Sequence, residues 1–353
     1  MQLSNIKSAH FFAGCGGDID GFKMAGLQPT FAVEINPARC ATLRHNHPEL
    51  KVFDQPIEKL VLVDYPTVAA AAASPILVHV YTFPCTNYTL AGEVHNHRTG
   101  DALYLEALRE AVIQWPEIIV IENVLGMRAF PRVMETWCNL AHYHTSEFVV
   151  NGEDFTLQRK ARLFLILHRQ PFQFKPLAEY LPTFAGVSGV ATGRAADGRT
   201  QLADYLDAAP IVSCTPYILK RLNGEYQRLP RIYERDRTEP LPLTTNYKRD
   251  RSNHLVRDEQ FPGGVRPFAV EELARLHGYP EGYHFAGGVN ERYGQVIDSV
   301  MPPVAKAIGL ALQAYFEAIP ELAVQPKPLG HTQVSSPAVN SKVKAKKMRE
   351  KAA

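Results

Sequence analysis

The chain has 353 residues, 46% of them hydrophobic, a formal net charge of +2 and an isoelectric point near 8.2, which calls for a folded, soluble protein with a substantial core and more than one lobe. A charge this mild does not by itself require nucleic acid as a partner. Five cysteines (Cys15, Cys40, Cys85, Cys138, Cys214) without CxxC spacing argue against a disulfide framework or a zinc knuckle. The opening MQLSNIKSAHFFAG lacks a signal-peptide pattern. No later run approaches the roughly 18 apolar residues of a membrane span, so a reducing, cytoplasmic setting is expected.

In chain order, SAHFF reads as a first strand, followed by the glycine turn FFAGCGGDIDGF and a helix through GFKMAGL. TFAVE is a second strand ending on Glu34, then come a helix in PARCATLRHN and strands in LKVF and ILVHVYTF. Cys85 stands at the exit of the last, in TFPCTNYTLAG. ALYLEALREAVIQW is helical, EIIVIE is a strand that ends on Glu122 with Asn123 behind it, and FPRVMETWCNLAHY is helical before the strands EFVVN and ARLFLIL. Alternation of this kind predicts a parallel, doubly wound α/β sheet. From about Gln170 the pattern fails amid Pro and Gly (LPTFAGVSGVATGRAADGRT) until VEELARLHGYP. The helix PPVAKAIGLALQAYFEAI would pack Val304, Ile308 and Leu312 back onto the first lobe. The expected organisation is a catalytic and cofactor-binding lobe at 1–170 completed by 266–320, a smaller irregular lobe at 171–265, and a basic, disordered tail at 321–353.

Three sets of residues point to chemistry. Gly14, Gly16 and Gly17 follow the first strand, and Glu34 lies 18 residues beyond Gly16. Glycines let a ligand lie on the backbone and a carboxylate at a strand tip grips ribose hydroxyls, while the unmet GxGxxG spacing favours a nucleoside cofactor without a pyrophosphate. Taken alone, the same turn is also an ordinary strand-to-helix turn. Cys85 and Glu122, both at strand exits, would face one crevice, where a thiolate attacks an electron-poor carbon as the acid protonates a neighbouring nitrogen. Gln158, Lys160 and Arg162 alternate before a strand, so all three point one way and could hold an anion or a carbonyl oxygen, or form a solvated edge. Between Lys220 and Arg257 basic residues interleave with tyrosines, a mix suited to phosphates and bases or, equally, to a balanced solvated surface. His95-x-His97 and His142-x-His144 lack Cys or carboxylate partners at ligand spacing, so no metal is expected.

The order FAGCGG, AVEINP, a Pro-Cys pair, ENV, Gln-x-Lys-x-Arg, a variable stretch, RPFAVEELARLHGYP and YGQVIDSVMPPVAKAIG resembles the DNA cytosine-5 methyltransferases over about residues 8–316 apart from the variable lobe. The resemblance implies a Rossmann-like methyltransferase sheet with an irregular target-recognition lobe. It also implies transfer of a methyl group from S-adenosylmethionine to C5 of cytosine, with Cys85 adding to C6 of a base flipped from double-stranded DNA. By the same resemblance Glu122 engages N3 and the exocyclic amine, Arg162 the O2 oxygen, and Lys160, where the family usually has arginine, supports the nearby loop or phosphate. The cofactor would lie over Phe12, Gly14, Gly16 and Gly17, with Glu34 on the ribose, Asp54 near the adenine amine, Leu103 beneath the ring, and Asp298 and Ser299 alongside. Lys220, Arg221, Lys248, Arg249 and Arg251 are the expected DNA contacts. The implied enzyme is a monomer, with a cognate restriction endonuclease as a candidate partner. His10-Phe11-Phe12 stands where the family has Asp-Leu-Phe, Thr86 follows the cysteine in place of glutamine, and Asp298 stands where an asparagine is usual. Asp298 would bring a negative charge near the cofactor, which would weaken S-adenosylmethionine binding or favour a modified form of it unless the acid is neutralised or turned away. A transfer-RNA cytosine methyltransferase is the other reading on the same residues.

Overall fold

The computed structural model describes residues 6–60, 76–84, 103–180, 199–226, 228–243 and 245–319. Cys85, Thr86, the His95-x-His97 pair and the tail expected at 321–353 lie outside the described residues.

All seven strands read from the sequence form. They are β1 (Lys7–Phe11), β2 (Gln28–Glu34), β3 (Lys51–Asp54), β4 (Val78–Tyr81), β5 (Ile118–Asn123), β6 (His144–Asn151) and β7 (Ala161–His168). They make one sheet in the order β3-β2-β1-β4-β5-β7-β6. The first five strands are parallel, and β5 is buried along its whole length, as a strand covered on both faces must be. The exception to the parallel expectation is β7, which runs antiparallel to both β5 and β6. Its connection from β6 is a tight return through the 3-10 turn Gly152–Asp154, too short for the crossover that a parallel pairing demands.

Helices α1 (Gly17–Met24), α2 (Pro37–Asn46), α3 (Leu103–Gln114) and α4 (Pro131–Cys138) follow the expected stretches. The start of α2 has two local causes: Pro37 occupies the first turn, and the Asn36 side chain accepts the Arg39 N–H at 3.1 Å. One face of the sheet packs Phe11, Tyr81, Ile119, Ile121 and Leu165 against Trp137 of α4 and Ala107 and Ala111 of α3. Val304, Ile308 and Leu312 are buried, as the helical spacing predicts.

Residues 1–318 form one compact unit, and within it the stretch expected as the smaller lobe holds α5 (Pro216–Leu222) and a sheet of β8 (Arg231–Tyr233), β9 (His254–Arg257) and β10 (Val265–Arg266) in the order β10-β9-β8. Strand β10 straddles the boundary expected between 265 and 266. The apolar cluster beneath this sheet is shared with α6 (Val270–His277) and α7 (Val289–Asp298): Leu202, Tyr205, Tyr233 and Tyr247 pack with Phe268, Leu273, Leu276, Tyr293 and Val296. Helix α7 was not legible as a helix, because it is short, polar and interrupted by Gly294. The last helix is α8 (Pro302–Ala318). Among the described residues no helix is long and apolar enough to cross a membrane.

Candidate active site

The carboxyl ends of β1, β2, β3, β4 and β5 lie along one edge of the sheet, where an open α/β fold gathers its ligands. Glu34 and Asp54, the last residues of β2 and β3, pair in register there. Glu34 is 4% exposed. Its Oε2 accepts the Gly14 N–H and its Oε1 the Asn36 N–H, both at 2.8 Å. Each carboxylate oxygen keeps a second lone pair, so the group is aimed by the backbone and still able to accept hydroxyl donors. Asp54 is more exposed and faces Arg44 at 3.3 Å.

The three glycines divide by role. At Gly14, with φ +57, an added Cβ would have no neighbour among the described residues closer than the Phe12 carbonyl oxygen at 4.0 Å. At Gly17 the same atom would lie 2.0 Å from the Val300 carbonyl oxygen and 2.7 Å from the Tyr279 hydroxyl; at Gly16 it would meet Leu43, Tyr283 and His47. At Gly16 and Gly17 the space that a side chain would need is taken by the protein itself, because the segments holding Tyr279, Tyr283 and Val300 press on the turn. Phe12 also takes a left-handed φ of 59, and its carbonyl accepts the Thr82 hydroxyl at 2.9 Å, tying the glycine turn to the exit of β4. Leu103 opens α3 and packs partly buried against the main core. An open glycine, two strand-tip carboxylates and flanking apolar groups fit a nucleoside cofactor.

On the other side, Glu122 at the end of β5 meets Arg162 at the start of β7, with Nε of Arg162 3.0 Å from Oε1 of Glu122. Burial raises the Glu122 carboxyl above the ordinary carboxylate range, and Arg162 and Lys160 only partly offset it. Such a group can hold a proton for a ligand. Gln158 and Lys160 are buried while Arg159 is exposed, so the alternation read from LQRKARLFLIL is present although β7 itself starts at Ala161. The Lys160 ammonium donates to the carbonyls of Ile297 at 2.8 Å and Ser299 at 2.5 Å, and burial beside Arg162 lowers its pKa to about 7. Its place is under the 297–299 turn. Asn123, which sequence reasoning did not count among the site residues, donates from Nδ2 to the Phe83 carbonyl at 3.1 Å. It thereby fixes the chain two residues before Cys85 to the residue beside Glu122; an amide directly after the strand-end acid is the signal that could have marked it.

Asp298 does not present a lone charge. Its carboxylate lies 2.7 Å from the Lys248 ammonium and 3.4 Å from the Arg39 guanidinium. The Ser299 hydroxyl turns back to the Val296 carbonyl at 2.8 Å. Of the five expected DNA contacts, Arg221 is corrected outright. It is 4% exposed. Its guanidinium reaches Asp250, Ser252, Asn253 and the Arg228 carbonyl, so it braces the small lobe from within. Lys248 is held by Asp298, and Arg251 donates to Asn290 at 2.8 Å and lies over the Tyr293 ring. Lys220 and Arg249 are exposed.

A family model, the C-5 cytosine-specific DNA methylases, matches residues 6–208 and 212–314. The Type II methyltransferase M.Sau96I of Staphylococcus aureus is 26% identical over 350 residues, covering 89% of this chain and 79% of the relative. The Type II methyltransferase M.AplI of Arthrospira platensis is 26% identical over 334 residues, covering 90% and 88%. Among solved structures, the Entamoeba histolytica methyltransferase EhMeth is similar with a TM-score of 0.68 at 14% identity, over 89% of this chain and 98% of that one. The S. pombe Dnmt2 methyltransferase is similar with a TM-score of 0.67 at 15% identity, over 89% and 99%. The chain thus belongs to the C-5 cytosine-specific DNA methylase family and is an S-adenosylmethionine-dependent DNA cytosine-5 methyltransferase.

Proposed function

We propose that the methyl transfer runs through a covalent bond between Cys85 and C6 of a flipped cytosine, and that the buried Glu122–Arg162 pair binds that base. The carrying observation is this pair, Glu122 at the exit of β5 and Arg162 at the start of the antiparallel β7, with Asn123 holding the Phe83 carbonyl, two residues before Cys85 in the chain. A pyrimidine C5 is too poor a nucleophile to be alkylated unaided. Attack of the Cys85 thiolate on C6 forms a C–S bond while Glu122 gives its proton to N3, which leaves electron density on C5. When bound, S-adenosylmethionine supplies an electrophilic methyl group on its sulfonium. Removal of the C5 proton by a base then breaks the C–S bond, returns the thiolate and lets N3 give its proton back to Glu122. Arg162 orients the Glu122 carboxyl and faces the base O2, and Lys160 holds the 297–299 turn beneath them. Phe12, Gly14, Glu34, Asp54, Leu103 and Ser299 form the cofactor side, with Glu34 on the ribose hydroxyls.

The lobe expected at 171–265 meets the duplex, with Lys220, Arg249 and Arg251 as its cationic contacts. The protein acts as a monomer in the cytoplasm, and a cognate restriction endonuclease is the partner suggested by the Type II names of its relatives. The test is incubation of purified protein and tritiated cofactor with duplex DNA or transfer RNA, followed by nucleoside analysis. Label in 5-methylcytosine from duplex DNA is expected. Label confined to transfer RNA would overturn this reading.

A further inference from the structure

Three separate pieces of the chain converge on the last residues of α7 and the start of the turn to α8. From the cofactor side comes Arg39, in the first turn of α2, three residues after Asn36, whose amide helps aim the Glu34 carboxylate. From the small lobe comes Lys248, the last residue of the 3-10 turn Thr245–Lys248. From the base side comes Lys160, which holds the carbonyls of Ile297 and Ser299 on either side of Asp298. The Asp298 carboxylate faces the first two: both its oxygens lie within 3.0 Å of the Lys248 ammonium, and Oδ2 is 3.4 Å from Arg39. The backbone of the turn is thus pinned from inside while its one acidic side chain reaches out to bind the two lobes together.

The neighbouring contacts give the clasp something to hold. The segment after Lys248 carries Arg249, which is exposed, and Arg251, which is steered by Asn290 of α7 and by the face of Tyr293 at 4.7 Å. Tyr247, immediately before Lys248, is fully buried, and its hydroxyl accepts the Phe268 N–H at 2.8 Å. One side of residue 248 is therefore fixed by the core, and the other is fixed through its own ammonium. On the far side, α2 is tied to α7 independently of any charge, because the Thr42 hydroxyl donates to Oε1 of Gln295 at 2.6 Å. Neutralising the carboxylate should free the 248–251 segment much more than it frees α2.

We propose that Asp298 is a positioning residue for DNA, not a cofactor ligand: through Lys248 it sets where the 248–251 segment stands over the substrate crevice. The proposal rests on the reading that the small lobe meets the duplex. Its side chains are about one-third exposed (Lys248 31%, Asp298 29%), so the clasp is an ion pair that salt weakens.

The test compares wild type with Asp298→Asn, Lys248→Met, the double variant and Lys248→Arg. Amide hydrogen exchange without DNA reads the clasp alone. Exchange in 245–251 should rise several-fold in Asp298→Asn and Lys248→Met, no further in the double variant, and return toward wild type in Lys248→Arg. Duplex affinity at low salt should fall about 3- to 10-fold in either single variant and non-additively in the pair, with the S-adenosylmethionine Kd unchanged by calorimetry. A changed cofactor Kd, unchanged exchange in 245–251, or additive losses of DNA affinity would each overturn the proposal. Arg249→Ala separates it from the underlying reading. If that variant loses DNA affinity while the Asp298 variants do not, the lobe meets DNA and the clasp fails; if no variant of the segment alters DNA binding, the reading of the lobe itself fails.

Discussion

The main sheet and the small lobe use charge in opposite ways. In the sheet, backbone ladders hold the strands, and charged groups are left over for the strand ends along one edge, where Glu34, Asp54 and Glu122 leave β2, β3 and β5 and Arg162 enters the antiparallel β7. In the small lobe the strands are only two to four residues long, and side chains replace the missing ladder. Arg266, fully buried, makes bonds of 2.8 Å to both oxygens of Glu272 and one of 2.7 Å to Asp258; Arg221 gathers Asp250, Ser252, Asn253 and a carbonyl in the same manner. A cation in a regular lattice is free to act, whereas a cation in an irregular one is often the structure.

The largest effect should come from the sheet side. Glu122→Gln should lower kcat by about 10²- to 10⁴-fold, the usual contribution of one positioned proton donor, with little change in cofactor affinity. Because burial raises the Glu122 carboxyl, the fall of kcat with rising pH should lie above the ordinary carboxylate range. Arg162 pulls that pKa down, so Arg162→Met should carry the falling limb to still higher pH in a kcat profile. A limb that stays in place would separate Arg162 from Glu122.

On the small-lobe side, Arg266→Met would leave Asp258 and Glu272 buried without their cation, at a cost of about 3–5 kcal/mol in urea unfolding. An unchanged midpoint would break the contrast between the lobes.

A smaller effect divides the glycine turn. Gly17→Ala drives a Cβ into the Val300 carbonyl, and since backbone must shift it should cost about 1–3 kcal/mol of stability. Gly14→Ala meets no described residue closer than 4.0 Å and costs about 1–2 kcal/mol for its left-handed backbone. It should weaken S-adenosylmethionine binding at least tenfold by calorimetry, since the side chain enters the ligand's volume. The smallest effect concerns DNA. Arg249→Ala should flatten the slope of log K against log salt by about one unit. Arg221→Ala should instead reduce stability, its binding slope unchanged in whatever fraction remains folded.

The same contrast explains what could be read in advance. Each strand of the main sheet announces itself as an apolar run such as EIIVIE or ARLFLIL, and topology then carries Glu34 and Glu122 to a common edge without further information. The reversal of β7 was hidden because an apolar run has no direction. In the small lobe nothing local distinguishes Arg221 from Arg249: both sit in basic, tyrosine-bearing stretches, and only the distant acceptors at 250–253 decide that one is buried. Asp298 gave no local sign of its ion pairs for the same reason. Its partners, Arg39 and Lys248, lie 259 and 50 residues away.

The central claim is a covalent bond from Cys85 to the target base, and a duplex carrying 5-fluorocytosine tests it most directly. With S-adenosylmethionine present, fluorine at C5 leaves no proton to remove after methyl transfer, so the C–S bond should persist through denaturing electrophoresis, and peptide mapping should place the adduct on Cys85. Efficient methylation of ordinary duplex DNA without any trapped complex on the fluorinated one, or trapping that survives in Cys85→Ser, would contradict it.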